Sequence, residues 1–248
     1  MNHRYWLAAV LLLTALSGCT TPEAQQNIPP EGTVDAAAAE DEARMPVAAP
    51  DMAEADTQAA DIPSPPQDAQ EFVRVQDYIP DIAVDLRYAT TNNFTGTVIY
   101  AYDDAWLRYA TVSKLSDAQE QLKAQGYRLC IWDAFRSAHS QQTLWETYPD
   151  GNYVANPANG YSGHTRGDTV DVTLVTLEGE GVEMPSGFDD FTALADRDYE
   201  DVSAVAGEHV ALLESVMESC GFTGYEKEWW HYSDNDRAQP APDFEPTA

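Results

Sequence analysis

Tyr161-Ser162-Gly163-His164-Thr165-Arg166-Gly167-Asp168-Thr169-Val170-Asp171 is the stretch on which the reading of this chain turns. From Val170 to Val175 apolar residues alternate: Val170, Val172 and Leu174 fall on one face of a strand, and Asp171, Thr173 and Val175 on the other. Asp171 is therefore predicted on a rigid strand. Gly167 supplies a turn that lets His164, just before the strand, reach the same point in space. Imidazole nitrogen and carboxylate oxygen are good zinc ligands, and a zinc that does chemistry has three protein ligands and one open position. The third ligand is sought downstream, in Glu228-Trp229-Trp230-His231-Tyr232, as His231. Taken singly, these are a loop histidine, a solvated strand acid and a surface or core histidine. Together, in two short segments, they point to zinc peptidase chemistry.

A hydrolase of that kind needs a carboxylate to take the proton of the attacking water, and Glu228 is the candidate. Positions three apart point to opposite faces of a regular strand. Glu228 and His231 therefore converge only if Glu228 precedes the strand or the backbone kinks. Arg136, permanently charged, is the candidate for stabilising an oxyanion. Asp133, three residues earlier, either holds Arg136 or binds a substrate ammonium. His209 lies beside the apolar stripe of a helix, where packing explains it. Gly160-Tyr161-Ser162-Gly163 lacks the second glycine spacing of a nucleophile elbow, which argues against a serine hydrolase.

Outward from this centre the chain reads as mixed strands and helices, an α+β pattern. Val73, Val75, Ile79, Ile82, Val84 and Leu86 suggest extended segments, and Val98-Ile99-Tyr100 a short strand. Ser113 to Gln125 is predicted helical, with Leu115, Ala118 and Leu122 on one face and Gly126 as the stop. A buried strand over Tyr127 to Trp132 leads into Asp133 and Arg136. A helix from about Ser137 to Thr147 and a Gly- and Asn-rich loop to Gly160 follow. Leu177 to Asp190 is a loop, Ser203 to Cys220 a helix, and Trp229 to Tyr232 a last strand.

Across 248 residues, 13 Lys+Arg stand against 42 Asp+Glu. Such a charge balance repels phosphate backbones and argues against nucleic acid as a partner. Residues 1–18 read as a lipoprotein signal peptide. Arg4 precedes the apolar run Trp6 to Leu16, which is too short for a comfortable span. The run ends in Leu16-Ser17-Gly18-Cys19, similar to a bacterial lipobox, with Cys19 as the lipidated residue. The expected location is exported and lipid-anchored, at the periplasmic face of the outer membrane or the cell surface. Residues 19–70, rich in Ala, Pro and acidic residues and without an aromatic, read as a disordered tether. Residues 71–237 form the folded domain, and 238–248, with Pro240, Pro242 and Pro246, a disordered tail. Cys130 and Cys220 are either a permitted disulfide or two buried thiols.

Ser162-x-His164-x-x-Gly167-x-x-x-Asp171 together with Glu228-Trp229-Trp230-His231-Tyr232 resembles the VanX-type D-alanyl-D-alanine dipeptidases, zinc D,D-peptidases related to the Hedgehog fold. Asp85-Leu86-Arg87-Tyr88-Ala89-Thr90, Asn93-Phe94-Thr95-Gly96 and Trp132-Asp133-Ala134-Phe135-Arg136 agree, so the resemblance covers about Asp77 to Tyr232. It implies a single domain with a central, mainly antiparallel sheet and flanking helices. One zinc per chain on His164, Asp171 and His231 is implied, with Glu228 as general base and Arg136 stabilising the transition state. Ser162, Asp133 and Asp189 are placed near the bound peptide. The implied substrate is D-Ala-D-Ala, in cell-wall peptide metabolism. A D,D- or L,D-carboxypeptidase acting on peptidoglycan stem peptides is the neighbouring alternative. Two departures stand out. The family's Asp-Gly-Tyr-Arg is Asp133-Ala134-Phe135-Arg136 here, so a tyrosine hydroxyl that would support the arginine is missing. The resistance-type relatives are cytoplasmic, whereas this chain reads as exported and lipidated.

Overall fold

The computed structural model describes residues 61–247 except 152. The signal segment, Cys19 and the tether up to residue 60 lie outside the described residues. A five-stranded sheet carries the domain, in the order β2 (Ala83–Val84), β4 (Tyr127–Asp133), β5 (Thr169–Thr176), β7 (Glu228–Asp234), β6 (Phe222–Tyr225). Only β2 and β4 run parallel; the other pairs are antiparallel. A separate antiparallel ribbon joins β1 (Phe72–Arg74) to β3 (Trp106–Arg108).

Two long helices, α2 (Tyr109–Lys123) and α4 (Ala204–Ser219), pack on one another and on the sheet. Each buries a stripe at helical spacing: Val112, Leu115, Ala118, Gln119 and Leu122 from α2, and Ala206, Val210, Leu213 and Met217 from α4. Val170, Val172 and Leu174 are completely buried, as an apolar strand face under helices requires. Ser203 caps α4 by accepting from the Ala206 amide. Gln119 lies inside the core and is satisfied there: its Oε1 accepts from the Leu129 amide at 2.8 Å, tying α2 to β4. The helix α3 (Ala138–Thr147) follows β4 directly and is capped by Ser137.

Four local expectations change. Val75–Tyr78 is one helical turn, α1, not an extended segment. Buried Val75 and Ile79 stand one helical turn apart, the Ile79 amide donating to the Val75 carbonyl at 2.9 Å, a spacing hidden among β-branched residues. Val98 to Tyr100 joins no sheet; the amides of Ile99 and Tyr100 both donate to the Tyr88 carbonyl at 2.9 Å. The helix expected from Ser113 begins at Tyr109, directly after the unforeseen β3.

The fourth change is the expected disordered tail, 238–248. As far as Phe244 it lies on the domain: the Ala238 amide donates to Asp168 Oδ2 at 2.7 Å, and the Ala241 amide to the Thr165 carbonyl at 3.2 Å. Phe244 stacks on Phe72, with ring centroids 3.9 Å apart. Prolines and a lack of periodicity read as disorder, because the receptor for this segment is built by residues far away in sequence. The end of the expected tether is also engaged, since the Ala110 amide donates to the Ala69 carbonyl. Cys130 and Cys220 are both free thiols. Burial pushes the Cys130 thiol up to about 11, which leaves it inert at neutral pH.

Candidate active site

The antiparallel pairing of β5 with β7 sets Asp171 opposite His231. Nδ1 of His231 lies 2.9 Å from Asp171 Oδ1. His164 arrives from a single 3-10 turn, His164–Arg166, immediately before β5, and its Nε2 is 3.5 Å from Asp171 Oδ2. One donor atom from each of the three residues fits within 4.8 Å of the others. A carbonyl oxygen only accepts, so the 2.7 Å contact of His164 Nδ1 with the Ala134 carbonyl puts the ring proton on Nδ1 and the Nε2 lone pair toward Asp171. The Arg136 amide returns a hydrogen bond to the His164 carbonyl, at 3.3 Å.

Whether these residues fit a metal ion can be tested on Asp171. Its Oδ1 is buried and receives no hydrogen bond of good geometry, though the His231 ring nitrogen is close. A buried carboxylate oxygen without a donor is costly, and a cation shared with two imidazoles removes the cost. The local field agrees. Burial disfavours the charged form of His164, yet Asp171 and Asp133 outweigh it and raise its pKa. Burial likewise opposes ionisation of Asp171, while His164 and His231 hold its carboxyl well below the usual range. The cluster draws positive charge, and the residues fit a divalent metal.

Gly167 ends the His164 turn at φ +75°, in the left-handed region. A Cβ there would stand 2.3 Å from Phe72 Cε1, and that ring has Phe244 stacked on it and the Arg108 guanidinium 4.0 Å from its centre. Gly167→Ala is therefore expected to cost about 2–4 kcal/mol, from left-handed strain and overpacking. Thermal unfolding of the metal-free protein checks this, and an unchanged midpoint would contradict it.

Glu228 is the first residue of β7. Its pairing with Tyr225, next to Gly224 opposite Tyr232, marks a register irregularity between β6 and β7. That irregularity resolves the conflict of spacing: Glu228 Oε2 comes to 3.5 Å from His231 Nδ1. Burial pushes the Glu228 carboxyl above its ordinary range, with Asp171 adding to the shift and His231 opposing it.

Arg136 lies just beyond the end of β4 and is almost fully buried. Its Nε and Nη2 donate to Asp133 Oδ2, its Nε also reaches the Tyr100 hydroxyl at 3.2 Å, and its Nη1 donates to Gln141 Oε1 at 3.1 Å. The guanidinium also lies 5.0 Å from the Tyr88 ring centre. Phe135 does not loosen this arrangement. Its ring packs edge-on against both members of the stacked Phe72–Phe244 pair, and the hydroxyl at the arginine comes from Tyr100, which also donates to Asp133 Oδ1 at 2.5 Å.

One cavity of about 290 Å³ is lined by Arg136, Ser162, His164, Asp171, Asp189, Glu228 and His231. Asp133 departs from the expectation of a peptide contact. It is completely buried, its oxygens are held by Arg136, Tyr100 and the Ala134 amide, and it does not line the cavity. It fixes Arg136 instead. Ser162 lines the cavity and also accepts from the Thr165 amide at 3.3 Å, bracing the His164 turn. Asp189 sits at φ +52°, and its Oδ2 accepts from the Tyr88 hydroxyl at 2.7 Å. Burial pushes its carboxyl up to about 8, against the Tyr88 hydrogen bond, with Asp171 and Glu228 adding repulsion. Nothing in the sequence around Tyr88 and Tyr100 assigns them a role. Neither has a metal-ligand or acid–base pattern around it, and only tertiary contact reveals what they hold.

Two imidazoles and a carboxylate around a buried, donorless oxygen, with a second carboxylate and a fixed guanidinium on the same cleft, define a metallohydrolase on an α+β scaffold. Residues 68–246 match the model of the peptidase M15 family, described as D-ala-D-ala dipeptidase, and the chain belongs to that family. It is 32% identical over 165 residues to a D-alanyl-D-alanine dipeptidase of Escherichia coli, covering 66% of this chain and 85% of the relative. A D-alanyl-D-alanine dipeptidase of Streptomyces coelicolor is 32% identical over 195 residues, 71% of this chain and 96% of the relative. One of Enterococcus faecium is 30% identical over 194 residues, 70% and 96%.

Proposed function

We propose that this protein is a zinc-dependent dipeptidase that hydrolyses D-alanyl-D-alanine in cell-wall peptide metabolism, with one zinc per chain held by His164, Asp171 and His231. The observation that carries the reading is Glu228 Oε2 at 3.5 Å from a proposed ligand, on a cavity that Arg136 also lines. When bound, zinc supplies Lewis acidity toward the scissile carbonyl and its attacking water. Glu228 takes the proton of that water and then passes it to the leaving amine. Arg136 directs its remaining N–H donors at the developing oxyanion. Because Asp133, Tyr100 and Gln141 fix the guanidinium beforehand, little reorganisation accompanies the reaction. Asp189 and Ser162 face the peptide.

The cavity, about 290 Å³, lies at the small end of ligand pockets, which run roughly 300–1,000 Å³. A free dipeptide fits a cleft of this size, and the dipeptidase relatives support it over the stem peptide of a D,D- or L,D-carboxypeptidase. Side-by-side hydrolysis of D-Ala-D-Ala and a stem pentapeptide, with metal analysis of the same preparation, tests the reading. Turnover of the dipeptide with one zinc per chain is expected; cleavage of the pentapeptide alone would favour the carboxypeptidase.

The proposed location is outside the cytoplasm, anchored by lipid on Cys19 at the periplasmic face of the outer membrane or the cell surface. The Leu16-Ser17-Gly18-Cys19 sequence supports it. No helix among the described residues is long and apolar enough to cross a membrane. A role in trimming or salvaging released wall peptides follows from that location. Cys19→Ala is expected to abolish lipid labelling and release the protein from membranes. Unchanged membrane retention would reject the anchor.

A further inference from the structure

The turn that delivers His164 is held from two sides. Inside, the imidazole is locked by the Ala134 carbonyl. Outside, the residues that follow His164 are each engaged in turn. The Thr165 carbonyl accepts from the Ala241 amide at 3.2 Å, and the Arg166 carbonyl from Arg108 Nε at 3.0 Å. The Gly167 carbonyl accepts from the Arg108 amide at 2.9 Å, and Asp168 Oδ2 from the Ala238 amide at 2.7 Å. Two of these four contacts come from the C-terminal segment. The other two come from Arg108, which also donates through Nη2 to the Gln239 carbonyl at 3.1 Å. The segment is pinned at its far end by Phe244, whose ring stacks on Phe72 and meets Phe135 edge-on at 5.0 Å. Phe135 precedes Arg136, so the same anchor backs the other wall of the cavity.

We propose that Ala238–Phe244, fastened by Arg108 and Phe72, is a positioning strap that fixes the His164 turn and the Phe135–Arg136 segment in their working geometry. The inference rests on the reading of His164 as a zinc ligand. A segment that only covered apolar surface would have no reason to place main-chain donors on residues just after a ligand. Here one of its amides lands on the turn at Thr165 and another on the side chain of Asp168 just beyond it, and the arginine that clasps the segment supplies two more donors, to the carbonyls of Arg166 and Gly167. Held ligands matter because a metal site loosened by about an ångström loses function, and groups that orient ligands are typically worth 10–100-fold in metal affinity.

The test compares the full chain, a chain ending at Arg237, Phe244→Ala and Phe244→Tyr. For each, the zinc dissociation constant is measured by competition with a chromophoric chelator, alongside the metal-free melting midpoint and kcat and KM at saturating zinc. The chain ending at Arg237 is expected to bind zinc about 10–100-fold more weakly and to lose kcat with KM little changed. Phe244→Ala should fall between it and the full chain, and Phe244→Tyr, which keeps the stacked ring, should restore full-chain values. If the shortened chain does not fold, Phe244→Ala decides by the same readings. A folded variant with a lower midpoint but unchanged zinc affinity and kcat would overturn the strap, since that is the behaviour of a merely stabilising segment. A full-length chain that holds no zinc would overturn the metal assignment, and the strap's role with it.

Discussion

Glu228→Gln is expected to lower kcat for D-Ala-D-Ala by about 10²–10⁴-fold, the usual worth of a positioned acid–base group, or about 3–5 kcal/mol of barrier. The amide keeps the size and polarity of the side chain but cannot accept the proton of water and return it to the amine. Both transfers belong to the chemical steps, so the loss should fall on kcat and leave KM nearly unchanged. The fold should survive, because Glu228 is only half-buried and opens a strand whose ladder is made by the backbone. Zinc should remain near one per chain. Metal content and hydrolysis measured on one preparation decide the matter. Near-normal turnover would remove Glu228 as the base. Loss of zinc with retained fold would make it a ligand, and the three-donor set would have to be redrawn.

His231→Ala is expected to release the metal and with it essentially all turnover. Three ligands are the minimum of a catalytic zinc site, and removing one leaves the geometry incomplete. Among the three proposed ligands, His231 best separates metal loss from unfolding. Its side chain is 20% exposed, against 5% for His164 and 4% for Asp171, so the space left by truncation opens onto the cleft rather than into the core. Truncating Asp171 instead would strand His164 among buried groups and confound the measurement. Chelation of the wild-type protein should reproduce the loss, and added zinc should reverse it. Stoichiometric zinc and normal turnover in His231→Ala would show the ligand assignment to be wrong.

Much of this architecture was legible in the sequence because it is encoded between near neighbours. The stripe Leu115, Ala118, Leu122 carries the helical period, and Val170, Val172, Leu174 the period of a strand. Gly167 marks the turn between His164 and Asp171, and donor chemistry names those two and His231 as ligand types. The same local rules failed where periods compete. Val75 and Ile79 stand one helical turn apart, yet β-branched residues favour an extended reading.

What tertiary structure alone decided has in common that the partners are distant in the chain. Asp133 shares chain spacing with a substrate contact and with an arginine anchor, and its complete burial selects the anchor. Tyr100 supplies the hydroxyl that Phe135 lacks from 33 residues before Asp133. Glu228 and His231 converge because a register irregularity against β6 overrides the alternation of an ideal strand. The C-terminal segment, whose prolines and absent periodicity signal disorder, is ordered by Arg108, 131 residues before Gln239, and by Phe72. Sequence by itself determined which elements form and which side chains can bind metal or carry a proton, because propensity, periodicity and donor chemistry belong to each residue and its neighbours. Which of those groups meet, and which distant residues hold them in place, was settled only on folding, because a long-range contact leaves no local period to read.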